Sequence, residues 1–204
     1  DILHHDSALL IVNKPAGLLS VPGKDPGKED CLIDRLRRVF PEVLLVHRLD
    51  CDTSGVMVFA LNKAAQGNLG QQFEKRQTKK IYVARLWGLL EPKEGTVDLP
   101  LCVDWPNRPR QHVNHEIGKP AVTDYRVIRH DGKTTRVRLM PQTGRSHQLR
   151  VHMLELGHPI LGDLIYATGE ARDAYPRMML HAESLRLRHP ETGKSITYSV
   201  ACPF

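Results

Sequence analysis

The chain has 204 residues, of which 41% are hydrophobic and 25% charged, an ordinary soluble composition that excludes disordered and fibrous classes. No apolar run approaches the roughly 20 residues that cross a bilayer, and no signal peptide heads the sequence, so a cytoplasmic protein without membrane association is expected. Lys and Arg number 29 against 23 acidic residues, a net charge of +6. The four cysteines, Cys31, Cys51, Cys102 and Cys202, are scattered without a Cys-x-x-Cys pair, which argues against a zinc site and for a reducing compartment. His112 and His115 lack further ligands nearby, so no metal is expected. The length suits one domain, alone or with two sub-lobes, expected to be monomeric. Because it opens on Asp1, residues are expected to have been trimmed ahead of it.

In chain order, Ala8 to Val12 predicts a short buried strand ending at Asn13-Lys14-Pro15. Ser20 to Lys28, rich in Pro and Gly, predicts a loop. Asp30 is a candidate cap for a helix through Phe40, with Leu32, Ile33 and Leu36 at helical spacing. Val56 to Leu61 predicts a strand, and Asn62 caps a helix from Lys63 to about Lys75. Ile81 to Trp87 predicts a strand with Tyr82, Ala84 and Leu86 on one face. Val122 to Arg129 and Thr134 to Met140 flank Asp131-Gly132, a hairpin signal. Ser146 to Leu156 predicts a helix stopped by Gly157. Leu180 to Leu187 and Ile196 to Val200 predict closing strands. Hairpins with few helices imply an α+β domain on a mostly antiparallel or mixed sheet.

One run stands apart: His47-Arg48-Leu49-Asp50-Cys51-Asp52-Thr53-Ser54-Gly55. It sets an acid, a base-capable ring and a guanidinium between the apolar stretches Val43–Val46 and Val56–Phe59. Charges beside a core must be paired or desolvated at a cost, so Asp50 is a candidate reactive group, with a structural ion pair as the bland alternative. Asp52-Thr53-Ser54-Gly55 also suggests an aspartic protease, but Ser54 interrupts the pattern and no second copy supplies the paired carboxylate. Basic residues cluster at Lys75, Arg76, Lys79 and Lys80, at Arg108 and Arg110, at Lys133, Arg136 and Arg138, and at Arg145 and Arg150. Clusters recurring beside the candidate site point to a polyanion, with nucleic acid favoured.

Three segments together resemble the RluA family of pseudouridine synthases. His47 to Gly55 matches the family's His-Arg-Leu-Asp-x-x-Thr-Ser-Gly. Lys80 to Ala84 matches Lys-x-Tyr-x-Ala, and Gly144 to His152 matches Gly-Arg-x-His-Gln-Leu-Arg-x-His. Val12–Pro15 with Gly17, His158–Asp163 and Leu180–Ala182 agree as well, so the resemblance covers essentially the whole chain. It implies the pseudouridine synthase fold: a long, bent, mixed but mostly antiparallel sheet with flanking helices and a central catalytic cleft. It also implies a single catalytic domain without the extra N-terminal RNA-binding domain of some relatives. The implied activity is isomerisation of uridine to pseudouridine in RNA.

That reaction breaks the N1–C1′ bond, turns the uracil and joins C5 to C1′. It needs no outside electrons, so no cofactor is expected. A single carboxylate facing the ribose can attack C1′ or remove the 2′ proton, and the sequence leaves both open. The resemblance assigns this role to Asp50, with Arg145 as its ion-pair partner and Tyr82 as the ring that stacks on uracil and assists loss of the C5 proton. It makes Leu180 an apolar floor under the base and Arg48 the residue that occupies the vacated stack or grips a phosphate during base flipping. Lys80 and His147 join the expected RNA contacts. Asp104-Trp105-Pro106-Asn107-Arg108-Pro109-Arg110 further resembles the loop of members that modify position 32 of tRNA anticodon stem-loops and a 23S rRNA hairpin loop. Trp105, Arg108 and Arg110 are therefore candidate readers of tRNA or rRNA stem-loops. The competing readings are a catalytically inactive RNA-binding module, a family member with another target, and an RNA-directed glycosidase.

Overall fold

The computed structural model describes residues 1–23, 27 and 29–204. Part of the predicted Ser20–Lys28 loop lies outside the described residues. In chain order the elements begin β1 (Ile2–His5), β2 (Leu9–Lys14), α1 (Leu32–Arg37), β3 (Leu44–Leu45), β4 (Ser54–Ala60), α2 (Lys63–Glu74), β5 (Lys79–Trp87) and β6 (Glu94–Asp98). They continue with β7 (Leu101–Val103), a single 3-10 turn (Trp105–Asn107), β8 (Gln111–Val113), β9 (Val122–Asp131) and β10 (Thr134–Pro141). Then come α3 (Gln148–Glu155), α4 (Gly169–Asp173), β11 (Leu180–Arg188) and β12 (Ser195–Ser199). Two compact units result, one of Asp1–Lys80 with Ala182–Pro203 and one of Ile81–His181 with Phe204.

In the first unit the strand order is β1-β2-β4-β11, with β12 on β11 and β3 on β4. β4 is buried at all seven positions, which explains its unbroken apolar run: both of its faces are covered. Ile11, Val56, Val58 and Ala60 pack with Ala65 and Leu69 of α2 and Leu185 of β11. The expected cap of α2 is present, the Asn62 side chain accepting from the Ala65 N–H at 2.8 Å. The expected cap of α1 is not. Cys31 occupies that position, its thiol donating to Asp34 Oδ2 at 3.3 Å rather than capping the backbone, the helix stops at Arg37, and the Asp30 carboxylate takes two bonds from Arg35 instead. Gly55 is obligatory, because at φ +118° a Cβ would come within 2.2 Å of the Ala182 carbonyl oxygen.

In the second unit β5-β10-β9-β6 form an antiparallel sheet, and β7 pairs with β8. The predicted hairpin is there with its turn one residue further on. Asp131 pairs with Thr134, so Gly132 and Lys133 make the turn, with Gly132 at φ +60°. β6, β7 and β8 escaped the pattern reading because, at three to five residues, they are too short to show a period. α3 begins at Gln148 rather than Ser146, because His147 is held at φ +54° and cannot be helical. Gly157 stops α3 as expected; its N–H donates to Leu154 and that of His158 to Met153, closing the helix end. Leu149 and Met153 of α3 join Ala84, Leu86, Leu139 and Leu180 in this unit's core.

Candidate active site

Asp50 lies in an irregular segment ahead of β4, and the backbone on both sides of it is pinned. The Leu49 N–H donates to Ser20 Oγ at 3.2 Å, and the same hydroxyl donates back to the Leu49 carbonyl at 2.7 Å. The Cys51 carbonyl accepts from Lys14 Nζ at 2.8 Å and from the Gly17 N–H at 3.0 Å. The Thr53 N–H closes a turn onto the Asp50 carbonyl at 3.2 Å. With the residue before and the residue after both fixed, the half-buried Asp50 side chain leaves a rigid base, which catalysis by positioning requires.

Lys14, read in the sequence only as part of the Val12–Pro15 likeness, was given no role there. It is 0% exposed, and its ammonium donates to the carbonyls of Pro15, Leu18 and Cys51 at 2.9, 2.6 and 2.8 Å. The available signal was a lysine at the end of an apolar strand immediately before a proline. Lys14→Met leaves three carbonyls without this donor, and the expected loss is about 3–5 kcal/mol of stability. Urea unfolding measures it; a loss below about 1 kcal/mol would show that the Asp50 loop holds itself in place.

His47, expected to be base-capable, has a different role. Its Nε2 accepts the Val58 N–H at 3.1 Å, which only a neutral imidazole can do, and the ring stacks on Phe73 with centroids 4.6 Å apart. Burial, with the Lys80 charge adding to it, pushes its pKa down to about 3. His47 is thus a neutral wedge between loop and strand. Burial and the nearby Arg76 lower the Lys80 ammonium to about 8, while Arg48 is exposed.

In the second unit, Tyr82 is half-buried against the core cluster that contains Leu180, itself 2% exposed, and faces Leu139 across the β5–β10 pair. Arg145 is exposed; its N–H donates to Gln148 Oε1 at 3.0 Å and its Nε to the Pro120 carbonyl at 3.1 Å. The left-handed backbone of His147 costs on the order of 1 kcal/mol. That cost is offset by a 2.7 Å bond between its Nδ1 and the Tyr166 hydroxyl. The hydroxyl also accepts the Gln111 N–H at 2.8 Å. Burial raises the Tyr166 phenol to about 12.

The Tyr166 ring has the Arg110 and Arg150 guanidinium groups each 5.0 Å from its centroid. Arg150 and Asp163 form a buried bidentate pair at 2.7 and 2.6 Å, and Asp163 also accepts the N–H groups of Ile165 and Tyr166. Tyr166 therefore joins the β7–β8 loop, through Arg110 and Gln111, to the segment that begins α3. Sequence reading attached no role to it. Its signal was an Asp three residues earlier in an otherwise apolar stretch.

The loop residues divide. Trp105 is 65% exposed with the Arg108 guanidinium 4.0 Å over its ring, a platform facing solvent. Arg110 turns inward and donates to the Ile165 carbonyl. His152 is buried, its Nδ1 on Thr123 and its Nε2 on the Leu99 carbonyl, so it packs and does not catalyse. Leu139 shares the Tyr82 face, so Arg136 and Arg138 must lie on the opposite face of that sheet.

Residues 8–155 match the model of the family described as RNA pseudouridylate synthase, and the chain belongs to that family. It is an isomerase that converts uridine to pseudouridine in RNA. The chain is 55% identical over 204 residues to "Dual-specificity RNA pseudouridine synthase RluA" of Escherichia coli (strain K12), covering 100% of this chain and 93% of that protein. To the protein of the same name in Yersinia pestis it is 52% identical, covering 100% of this chain and 99% of that protein. Among solved structures, Human RNA Pseudouridylate Synthase Domain Containing 1 superposes with a TM-score of 0.82 at 34% identity, covering 100% and 84% of the two chains. Human RNA Pseudouridylate Synthase Domain Containing 4 gives 0.80 at 30%, covering 99% and 88%. The expected α+β pseudouridine synthase fold is thus present.

Proposed function

We propose that this enzyme modifies two kinds of RNA, position 32 of tRNA anticodon stem-loops and a hairpin-loop uridine of 23S rRNA, working as a cytoplasmic monomer without a cofactor. The observation that carries the reading is identity above 50% along the full chain to relatives named as dual-specificity enzymes. Asp50 supplies the carboxylate that acts on the ribose, by attack at C1′ or by removal of the 2′ proton. Its fixed loop supports that role. Arg145 is the matching partner cation, Tyr82 the stacking ring, Leu180 the apolar floor, and Arg48, Lys80 and His147 contact the RNA. Incubation with transcribed anticodon and rRNA stem-loops, followed by mapping of pseudouridine, tests the reading. Release of free uracil would instead reveal a glycosidase, and binding without modification an inactive module.

Tyr82→Phe keeps the ring and removes the hydroxyl. If that hydroxyl aids C5 deprotonation, glycosidic cleavage survives while final proton loss stalls, which release of label from C5-tritiated RNA detects. Wild-type turnover would reduce Tyr82 to a stacking platform.

The Trp105–Arg108 platform reads the substrate in this proposal, separately from the chemistry. Trp105→Ala with Arg108→Ala should erase the preference for a cognate stem-loop over a scrambled loop with one uridine. Each lost contact is worth about 1–3 kcal/mol by analogy with single-strand stacking. An unchanged ratio of kcat/KM values for the two RNAs would remove the loop from recognition.

A further inference from the structure

Tyr166 stands where the loop that carries Trp105 and Arg108 meets the turn that carries Arg145, and the isomerisation chemistry leaves its hydroxyl unused. The loop is a closed body. The Asp104 N–H donates to the Arg110 carbonyl at 2.9 Å, and the Arg110 and Asn107 N–H groups close it with two further bonds at 3.0 Å. The Asn107 side chain adds a bond to the Asp104 carboxylate at 2.9 Å. At the base of the loop Val103 of β7 pairs with Gln111 of β8. A displacement of the Trp105–Arg108 platform therefore carries Arg110 and Gln111 with it.

The turn on the other side is equally tight. The Gln148 N–H donates to the Arg145 carbonyl at 3.2 Å, and Gln148 Oε1 accepts the Arg145 N–H at 3.0 Å. Between them His147 is held in the left-handed region, which costs energy that a contact outside the turn must offset. Tyr166 supplies that contact. Its hydroxyl is bonded to His147 Nδ1 at 2.7 Å and accepts the Gln111 N–H at 2.8 Å, so a single oxygen touches both bodies. The ring has little room to yield. It is buried with Leu101, Ala121 and Val151, it is flanked by Arg110 and Arg150, and its backbone N–H is fixed on Asp163. What the hydroxyl adds to a phenylalanine ring in this place is the junction.

We propose that Tyr166 is a positioning residue for isomerisation: its hydroxyl links the seating of the β7–β8 loop to the geometry of the Arg145–Gln148 turn, so that recognising the RNA loop and placing Arg145 become one event. The inference rests on the reading of Arg145 as the partner cation and of the Trp105–Arg108 platform as the substrate reader. The platform still reads the RNA apart from the reacting groups, and Tyr166 carries its seating into the rate of the bound complex.

Tyr166→Phe keeps the ring and removes both bonds. With the whole chain, kcat and KM are measured for a cognate anticodon stem-loop and for a scrambled loop retaining one uridine. The cognate RNA should lose about ten-fold to a hundred-fold in kcat with KM held within about two-fold, because the turn is misplaced while the contacts that bind RNA remain. The scrambled RNA, which does not seat the loop, should keep its wild-type kcat. A role in packing alone would lower the rates on both RNAs together. Equal losses on the two RNAs, a change confined to KM, or a wild-type kcat on the cognate RNA would overturn the proposal. Hydrogen exchange of the RNA-free protein supplies a second measurement: amides of residues 103–111 and of residues 145–148 should both exchange faster in the variant. Unchanged exchange in either segment would also overturn the proposal. A wild type that isomerises neither RNA, or does not prefer the cognate loop, would fault the functional reading, and the exchange data alone then decide whether the hydroxyl joins the two segments.

Discussion

Asp50→Asn abolishes isomerisation, with kcat falling by about four orders of magnitude or more, while affinity for the stem-loop stays within a few fold. An amide can neither attack C1′ nor take the 2′ proton, yet it keeps the shape of the carboxylate. The pinning of the loop passes through the backbone of Leu49 and Cys51 and through Lys14 and Ser20, none of which the substitution alters. Stability should therefore be nearly unchanged, so lost activity cannot be assigned to unfolding. Single-turnover kinetics with pseudouridine mapping measures the rate. Product formation near the wild-type rate would remove Asp50 as the reacting carboxylate.

Asp163→Ala should cost about 3–5 kcal/mol of stability, as much as Lys14→Met. Arg150 is 2% exposed, and without Asp163 its charge stays in the core while the N–H groups of Ile165 and Tyr166 lose their acceptor. The damage should spread to the segment before α3, since Tyr166 holds His147. Adding Arg150→Met to Asp163→Ala should recover part of the loss, because the buried cation is then removed along with its carboxylate. Urea unfolding of both single variants and the double variant tests this; a single variant within about 1 kcal/mol of wild type would show that the pair contributes little.

The contrast between the two carboxylates shows what can be read without a structure. Asp50 stands in a polar interruption between apolar runs, and that break in hydropathy is visible in one dimension. Asp163 looks similar in the sequence, but its partner Arg150 lies thirteen residues away on a helix, and only the packing of α3 reveals a structural pair.

Elements long enough to show a period were legible from the residues alone: α2 with its Asn62 cap, β4, β5, the β9–β10 hairpin and α3 with its Gly157 stop. Periodicity and capping act over a few neighbouring residues, so a local pattern carries them. The set Asp50, Tyr82 and Arg145 came from motif likeness, which is also a property of the sequence.

Folding decided what depends on long-range partners. Lys14 meets Cys51 thirty-seven positions on, and His47 becomes a neutral wedge because Val58 and Phe73 surround it. The same holds for the facing of the basic residues. Arg136 and Arg138 look contiguous with the site along the chain, but the pleat turns them from Tyr82, and a single bulge beside Ile128 sets the direction of Arg129. Charge and hydropathy determine that a residue needs a partner or solvent; only register and packing determine which one it receives.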